Sequence, residues 1–247
     1  MELGLRGRTA IVCGGSAGIG LASAEALAAE GANVAMLARG REALEREAER
    51  LGALAVRGDV ANPRHLGQLV EQTVAAFGGV DILVLNSGGP PRTGALEVTD
   101  EQVEDAVALL LLSAVRLVRL CRSHLEASGH GRVIAITSSA AKEPIDNLAL
   151  SNAIRPGLTG WLKGVARELG PSAVTVNAIA PGRIDTERLK EVYPDGPTES
   201  DLATIPLRRL GTPRELGDVV CFLASDRAAY ISGATIAVDG GLTRGLF

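Results

Sequence analysis

Aromatic residues are scarce: one Trp, two Tyr and three Phe in 247 residues, 2% of a chain that is 46% hydrophobic. The apolar content is therefore aliphatic. With 30 glycines it suits an α/β core, where helices pack closely on a sheet through small and branched side chains. Cysteine is nearly absent. Cys13, Cys121 and Cys221 are odd in number, far apart and set in apolar runs, which gives neither a disulfide framework nor a metal-ligand spacing. Reduced cytoplasmic thiols are expected. No basic surplus exists either: a net charge of −4 excludes the cationic face that nucleic acid or an anionic membrane requires. Long apolar runs are missing too. The most apolar segment, "AVALLLLSAVRLVRL" at 106–120, is interrupted by Ser113, Arg116 and Arg119, and is too short and too charged to cross a bilayer. It reads as a helix buried on most faces, against the sheet or against another subunit. The opening "MELGLRGRTA" lacks the apolar core of a signal peptide, so a cytoplasmic location is expected.

What is present is alternation. Short β-branched runs at 9–14, 33–38, 53–60, 81–87, 132–138, 174–180 and 234–240 are separated by helical stretches. Helix ends are marked by Gly31, by a Thr99/Gln102 capping box, and by Thr212 before Pro213. Apolar strands alternating with helices predict a doubly wound α/β sheet of about seven parallel strands, covered on both faces. No linker or repeat interrupts the pattern, so 1–247 is expected to be a single domain. The segment 182–211, without clear structure, is expected to form a lid over the strand ends where ligands bind in such sheets.

The first strand runs into "CGGSAGIG", with Gly14, Gly18 and Gly20 ahead of a helix. Glycines there let the backbone turn tightly and approach a pyrophosphate, whose charge meets the free N–H groups of the helix. A glycine cluster alone is a weak signal, but its place between first strand and first helix makes it a strong one.

In these motifs the chain resembles the short-chain dehydrogenase/reductase family over essentially its whole length. The family's T-G-x-x-x-G-x-G is present with Cys13 in place of the threonine. Asp59 with Val60 match the acid after strand three, and "LNSG", with Asn86 and Gly88, matches the motif after strand four. "APGRIDT", with Pro181, Gly182, Ile184 and Thr186, resembles the stretch that brackets a nicotinamide, and "ISGATIAVDGG" resembles the C-terminal strand. The resemblance implies a Rossmann-type fold and a dinucleotide held by Gly14, Ser16, Gly18, Ile19, Gly20, Asp59, Val60, Asn86, Gly88, Pro181, Gly182, Ile184 and Thr186. At the end of strand two an acid would select NAD and an arginine NADP. Ala38 followed by Arg39 favours NADP(H).

The family's catalytic residues are a serine, a tyrosine, a lysine four positions later and an asparagine on the preceding helix. Ser138 matches the serine. Ser151 stands where the tyrosine is expected, Arg155 at the lysine and Leu110 at the asparagine. A phenol titrates near ~10 and a neighbouring cation brings it within reach of neutral pH; an aliphatic hydroxyl is far weaker as an acid. Arg155 keeps its charge and a fork of donors suited to a cofactor ribose, yet cannot pass a proton on. Pro156 adds a second reading, in which Ser151 or Asn152 caps a helix and has a structural role. Tyr193, in the lid segment, is a substitute acid or a pocket aromatic; Tyr230 is expected to pack near the last strand. His65, His124 and His130 are expected on the wrong side of the sheet.

Two functions follow. One is an NADP-dependent oxidoreductase acting on a small carbonyl or alcohol, or on an acyl thioester as in the resembling 3-oxoacyl-[acyl-carrier-protein] reductases, with an atypical proton donor. The other is an inactive nucleotide-binding sensor or assembly protein. The resemblance further implies a homotetramer built through the helices at about 100–127 and 148–169 and the C-terminal strand region.

Overall fold

The seven apolar runs form strands β1 (Thr9–Cys13), β2 (Asn33–Ala38), β3 (Leu54–Arg57), β4 (Ile82–Leu85), β5 (Arg132–Ile136), β6 (Thr175–Pro181) and β7 (Thr235–Val238). The computed structural model describes residues 2–190, 193 and 195–246, so residues 191, 192 and 194 of the expected lid lie outside the described residues. All strand pairs are parallel, in the order β3-β2-β1-β4-β5-β6-β7. Helices α1 (Gly18–Ala29), α2 (Arg41–Leu51) and α9 (Pro213–Ala224) cover one face; α3 (Pro63–Phe77), α5 (Ser113–Ser128) and α6 (Ala149–Leu169) cover the other. A doubly wound Rossmann-type fold is the result. The pleat of β1 explains the apolar runs: Ile11 and Cys13 enter one core cluster, Ala10 and Val12 the other. Strand order reverses between β1 and β4, which opens a crevice at their C-terminal ends.

The predicted helix ends at Thr99 and Thr212 are capping boxes, the second completed by Glu215 with Pro213 in the first turn. Three readings need correction. The helix expected from residue 100 is not continuous: after α4 (Asp100–Val107) comes a π-helical turn, Ala108–Leu112, before α5 begins. Neither Ser151 nor Asn152 caps α6. The helix starts at Ala149 after Leu148 and carries Pro156 in its interior. Tertiary contacts overrode the local signal there, because Thr93 bonds to the chain on both sides of the helix start, through Asn147 and Ala149. The segment 182–211 also holds short helices, α7 (Glu187–Lys190) and α8 (Glu199–Ala203), and its ends are joined by a bridge between Ile184 and Gly211.

Candidate active site

At the end of β1 the chain turns through Gly14, whose φ of +65° is one a side chain resists, and enters α1. A Cβ on Gly20 would overlap the Gly14 carbonyl and the Asn86 amide. The turn is thus closed to any larger residue, and it presents free amides of the α1 N-terminus at the crevice. Asn86 braces the turn from the β4 side, its Nδ2 donating to the Cys13 carbonyl oxygen at 3.1 Å. Cys13 itself is buried, and burial pushes its thiol up to about 12 against a smaller opposing effect of Asn86. It fills core where the resembling motif has threonine. Ser16 and Ile19 are half-buried in the same turn, and the Thr186 methyl lies in contact range of Gly18. The strand-six loop therefore closes over the glycine turn. Pro181 ends β6, Gly182 packs against Asp239, and buried Ile184 anchors the segment that follows.

At the outer end of the crevice Arg39 is exposed, and Arg57 reaches across from β3 to donate to the Arg39 carbonyl oxygen at 3.3 Å. Two guanidinium groups thus stand at the tip of β2. Asp59 receives the Ala61 N–H at 2.9 Å and gives its own N–H to His65 Nδ1 at 3.0 Å. That places His65 at the end of β3, on the crevice side, and corrects the expectation for it. Val60 is half-buried and Gly88 exposed along the same rim.

The expected catalytic positions converge less completely. Ser138 follows β5 and its Oγ accepts the Ala140 N–H at 3.1 Å, so its hydroxyl proton remains available to a neighbour. Ser151 is 5% exposed on the inner face of α6. Arg155, one turn on, is 7% exposed, and its Nη1 donates to the Thr137 carbonyl oxygen at 2.8 Å. Its Nε is buried and has no hydrogen-bond partner. Burial, and then the nearby Arg188 charge, push this guanidinium down to about 10, still charged at neutral pH. Leu110 sits in the π turn, where it packs with Ala106, Leu150 and Ile154; it offers no polar group at the asparagine position. Behind Arg155 is a void of about 20 Å³, bordered by Cys13, Asn86, Leu110 and Ser113.

Tyr193 lies below the Arg183 guanidinium, 5.8 Å from ring centroid to Cζ. Tyr230 is fully exposed, against the expectation that it packs. It follows a short 3₁₀ turn whose buried residue is Ala228, so the core there is filled without the phenol. Sequence reasoning also missed Arg188, which donates to the Pro90 carbonyl oxygen at 2.8 Å and rests on Gly89. Asn152, read from the sequence as a candidate helix cap, instead clamps Ile145 by donating to its carbonyl oxygen and accepting its N–H. No spacing marks either contact, since each is made to a loop outside the residue's own helix. Among the described residues no cluster of side chains suits a metal ion, and no helix is long and apolar enough to cross a membrane.

Fold, glycine turn and crevice together define a dinucleotide-binding protein, and the chain belongs to the short-chain dehydrogenase/reductase family. A family model described as Enoyl-(Acyl carrier protein) reductase matches residues 14–243. The 3-oxoacyl-[acyl-carrier-protein] reductase FabG of Escherichia coli is 36% identical over 242 residues, covering 97% of this chain and 99% of that one. MabA of Mycobacterium tuberculosis, of the same description, is 36% identical over 238 residues, covering 96% and 94%. The L-sorbose reductase of Gluconobacter frateurii, solved with NADPH and L-sorbose, is 34% identical and superposes with a TM-score of 0.94 over 100% of both chains.

Proposed function

We propose that the chain is an NADP(H)-dependent oxidoreductase that moves hydride between nicotinamide and a small carbonyl or alcohol, with a proton donor other than a tyrosine at position 151. The observation that carries this reading is the glycine turn, which Gly20, Gly14 and Asn86 close so tightly that only a backbone cradle is left. The residues fit a dinucleotide. Gly14, Ser16, Gly18, Ile19 and Gly20 hold the pyrophosphate against the α1 N-terminus. Arg39, with Arg57 beside it, receives the 2′-phosphate; no acid at residue 38 competes. Asp59 and Val60 border the adenine, and Asn86, Gly88, Pro181, Gly182, Ile184 and Thr186 border the nicotinamide end. When bound, the cofactor supplies or accepts the hydride.

The chain's own residues do the rest. Ser138 Oγ, which accepts the Ala140 N–H, keeps its own O–H free to donate a hydrogen bond to the substrate oxygen and orient it. Arg155 holds the ribose with donors and charge. Ser151 is too weak an acid to replace a phenol, so the proton reaches the substrate oxygen from water or from Tyr193 on the closing segment 182–211. Loss of a placed general acid slows turnover roughly 10²- to 10⁴-fold relative to a family member that keeps it. An acyl thioester of the kind named for FabG and MabA is a second substrate class this crevice admits.

One observation favours the alternative, a silent NADP(H)-binding protein: the asparagine position holds only the hydrocarbon of Leu110, and Arg155 bonds a backbone carbonyl. Titration with NADPH and NADH, followed by nicotinamide fluorescence and energy transfer from Trp161, tests the common premise. NADPH is expected to bind at least about tenfold tighter than NADH, and substitution of Arg39 and Arg57 by Ala removes that margin. Failure of a folded sample to bind either dinucleotide overturns the oxidoreductase reading. Binding without oxidation of NADPH by any carbonyl leaves the silent one. Turnover that stops in S138A supports the role of Ser138.

A homotetramer is part of the same proposal. Between α5 and α6 runs a groove of about 310 Å³ lined by Val118, Arg119, Trp161, Val165 and Leu169. A second copy covering that face buries this apolar surface.

A further inference from the structure

The chain beyond β7 crosses the substrate half of the crevice. β5, β6 and β7 lie side by side, and Val238 at the end of β7 pairs with Pro181 at the end of β6. The segment that follows is turned by Asp239, whose carboxylate accepts the Gly241 and Thr243 N–H groups and the Thr243 hydroxyl. Gly240 and Gly241 there take φ of +65° and +85°, which glycine alone adopts freely. Further along, the Arg244 and Gly245 N–H groups both donate to Oε1 of Glu143, in the loop after β5. Neighbouring strands are about 4.8 Å apart, so a chain that leaves β7 and reaches the β5 loop passes over the end of β6. That end carries Gly182 and Ile184, which border the nicotinamide in the oxidoreductase reading. The crossing is close, since a Cβ on Gly182 would overlap Asp239.

The segment is fixed at both ends, but in different ways. At the β7 end the Gly240 carbonyl oxygen accepts the Leu207 N–H at 3.2 Å, and a Cβ on Gly240 or Gly241 would press on Ile205 or Pro206. The base of the segment 182–211 is thus packed on this turn. At the β5 end Glu143 donates its own N–H to the Ser139 carbonyl oxygen at 3.0 Å, so it sits on the short turn that Ser138 caps. That loop is pinned elsewhere by Asn152 through Ile145, and by Thr93 through Asn147 and Ala149. Arg244 and Gly245, in contrast, are exposed and share a single carboxylate oxygen. Bonds at such an exposed end are modest, and they open without disturbing the sheet.

We propose that residues 239–245 form a strap across the substrate end of the crevice, latched by Glu143, which limits the bulk a carbonyl substrate carries on the β7 side. The proposal rests on the oxidoreductase reading and adds a specificity-determining residue to it. Glu143 is a positioning residue: it acts through the strap. A substituent that runs from Ser138 toward β7 meets the backbone of the closed strap, whereas a methyl group stops short of it.

Two readouts test this on the full-length protein. The first is hydrogen exchange at the Arg244 and Gly245 amides in wild type, E143A and E143Q. Exchange is expected to be about tenfold or more faster in E143A than in wild type, with E143Q close to wild type because its amide oxygen accepts the same bonds. The second is NADPH oxidation with ethyl acetoacetate and with ethyl benzoylacetate. The ratio of kcat/KM for the bulky ketone to that for the small one is expected to rise about tenfold in E143A, while NADPH affinity stays as in wild type. A variant that stops at Thr243 keeps the Asp239 turn and removes only the latched residues; it is expected to give the same rise, and it carries the test should E143A fail to fold. Comparing ratios between variants cancels the different reactivity of the two ketones, and a general loss of stability would lower both rates together. Equal exchange in wild type and E143A overturns the latch. An unchanged ratio in both variants, with good turnover, overturns the size limit alone. Turnover of neither ketone by any of these proteins overturns the oxidoreductase reading and the size limit that rests on it.

Discussion

At the scale of the residue, two side chains and one missing side chain decide what this crevice does. Gly20 has no room for a methyl group: its Cβ would overlap the Gly14 carbonyl and press on Asn86. G20A is expected to cost about 1–3 kcal/mol in urea unfolding and to weaken NADPH by more than tenfold, because backbone and not a side-chain tip must yield. Unchanged affinity in that variant would mean the turn does not hold the pyrophosphate. Arg155 and Ser151 were legible as departures from a motif, but only as letters. That Arg155 is buried, bonds Thr137 and leaves its Nε without a partner depends on β5 and α6 meeting, which no local pattern records. The contacts of Arg188 with Pro90 and of Asn152 with Ile145 were illegible for the same reason.

At the scale of the element, α6 is the unusual one. Pro156 lies in its interior, where it removes one backbone hydrogen bond to the preceding turn, and its ring faces solvent. The helix persists because its other face buries Leu150, Ile154, Leu158 and Leu162. P156A restores the bond at an exposed position, so it is expected to raise stability by about 1–2 kcal/mol, after the opposing loss of unfolded-state restriction. A calorimetric melting temperature below that of wild type would show that the ring contributes more than the missing bond. The π turn before α5 has a comparable logic: Ser113 Oγ donates to the Leu109 carbonyl at 2.5 Å, which takes up an acceptor the wider turn would otherwise leave loose. Such turns recur at functional sites, and this one faces Arg155.

At the scale of the whole molecule, the sheet has two covered faces but the helix pair α5 and α6 has an uncovered outer side. Val165 lies in the groove between them. V165R is expected to reduce the assembly to a smaller species by light scattering, since a charge placed on each side of a two-fold contact is buried against its copy. An undiminished mass in V165R would place the interface elsewhere.

The sequence by itself determined the alternation of strands and helices, the parallel doubly wound sheet, the capping boxes at Thr99 and Thr212, and the glycine turn. Each of these is written in spacing along a short stretch of chain, where periodicity, caps and turn residues act locally. Only the tertiary structure decided that Ser151 lies within a helix and caps nothing, that Tyr230 faces water, that His65 reaches Asp59, and that Arg155 is buried with its Nε unpartnered. Those facts depend on which groups remote segments bring within a few ångströms, and burial and Coulomb energy are set by that distance and not by order in the chain.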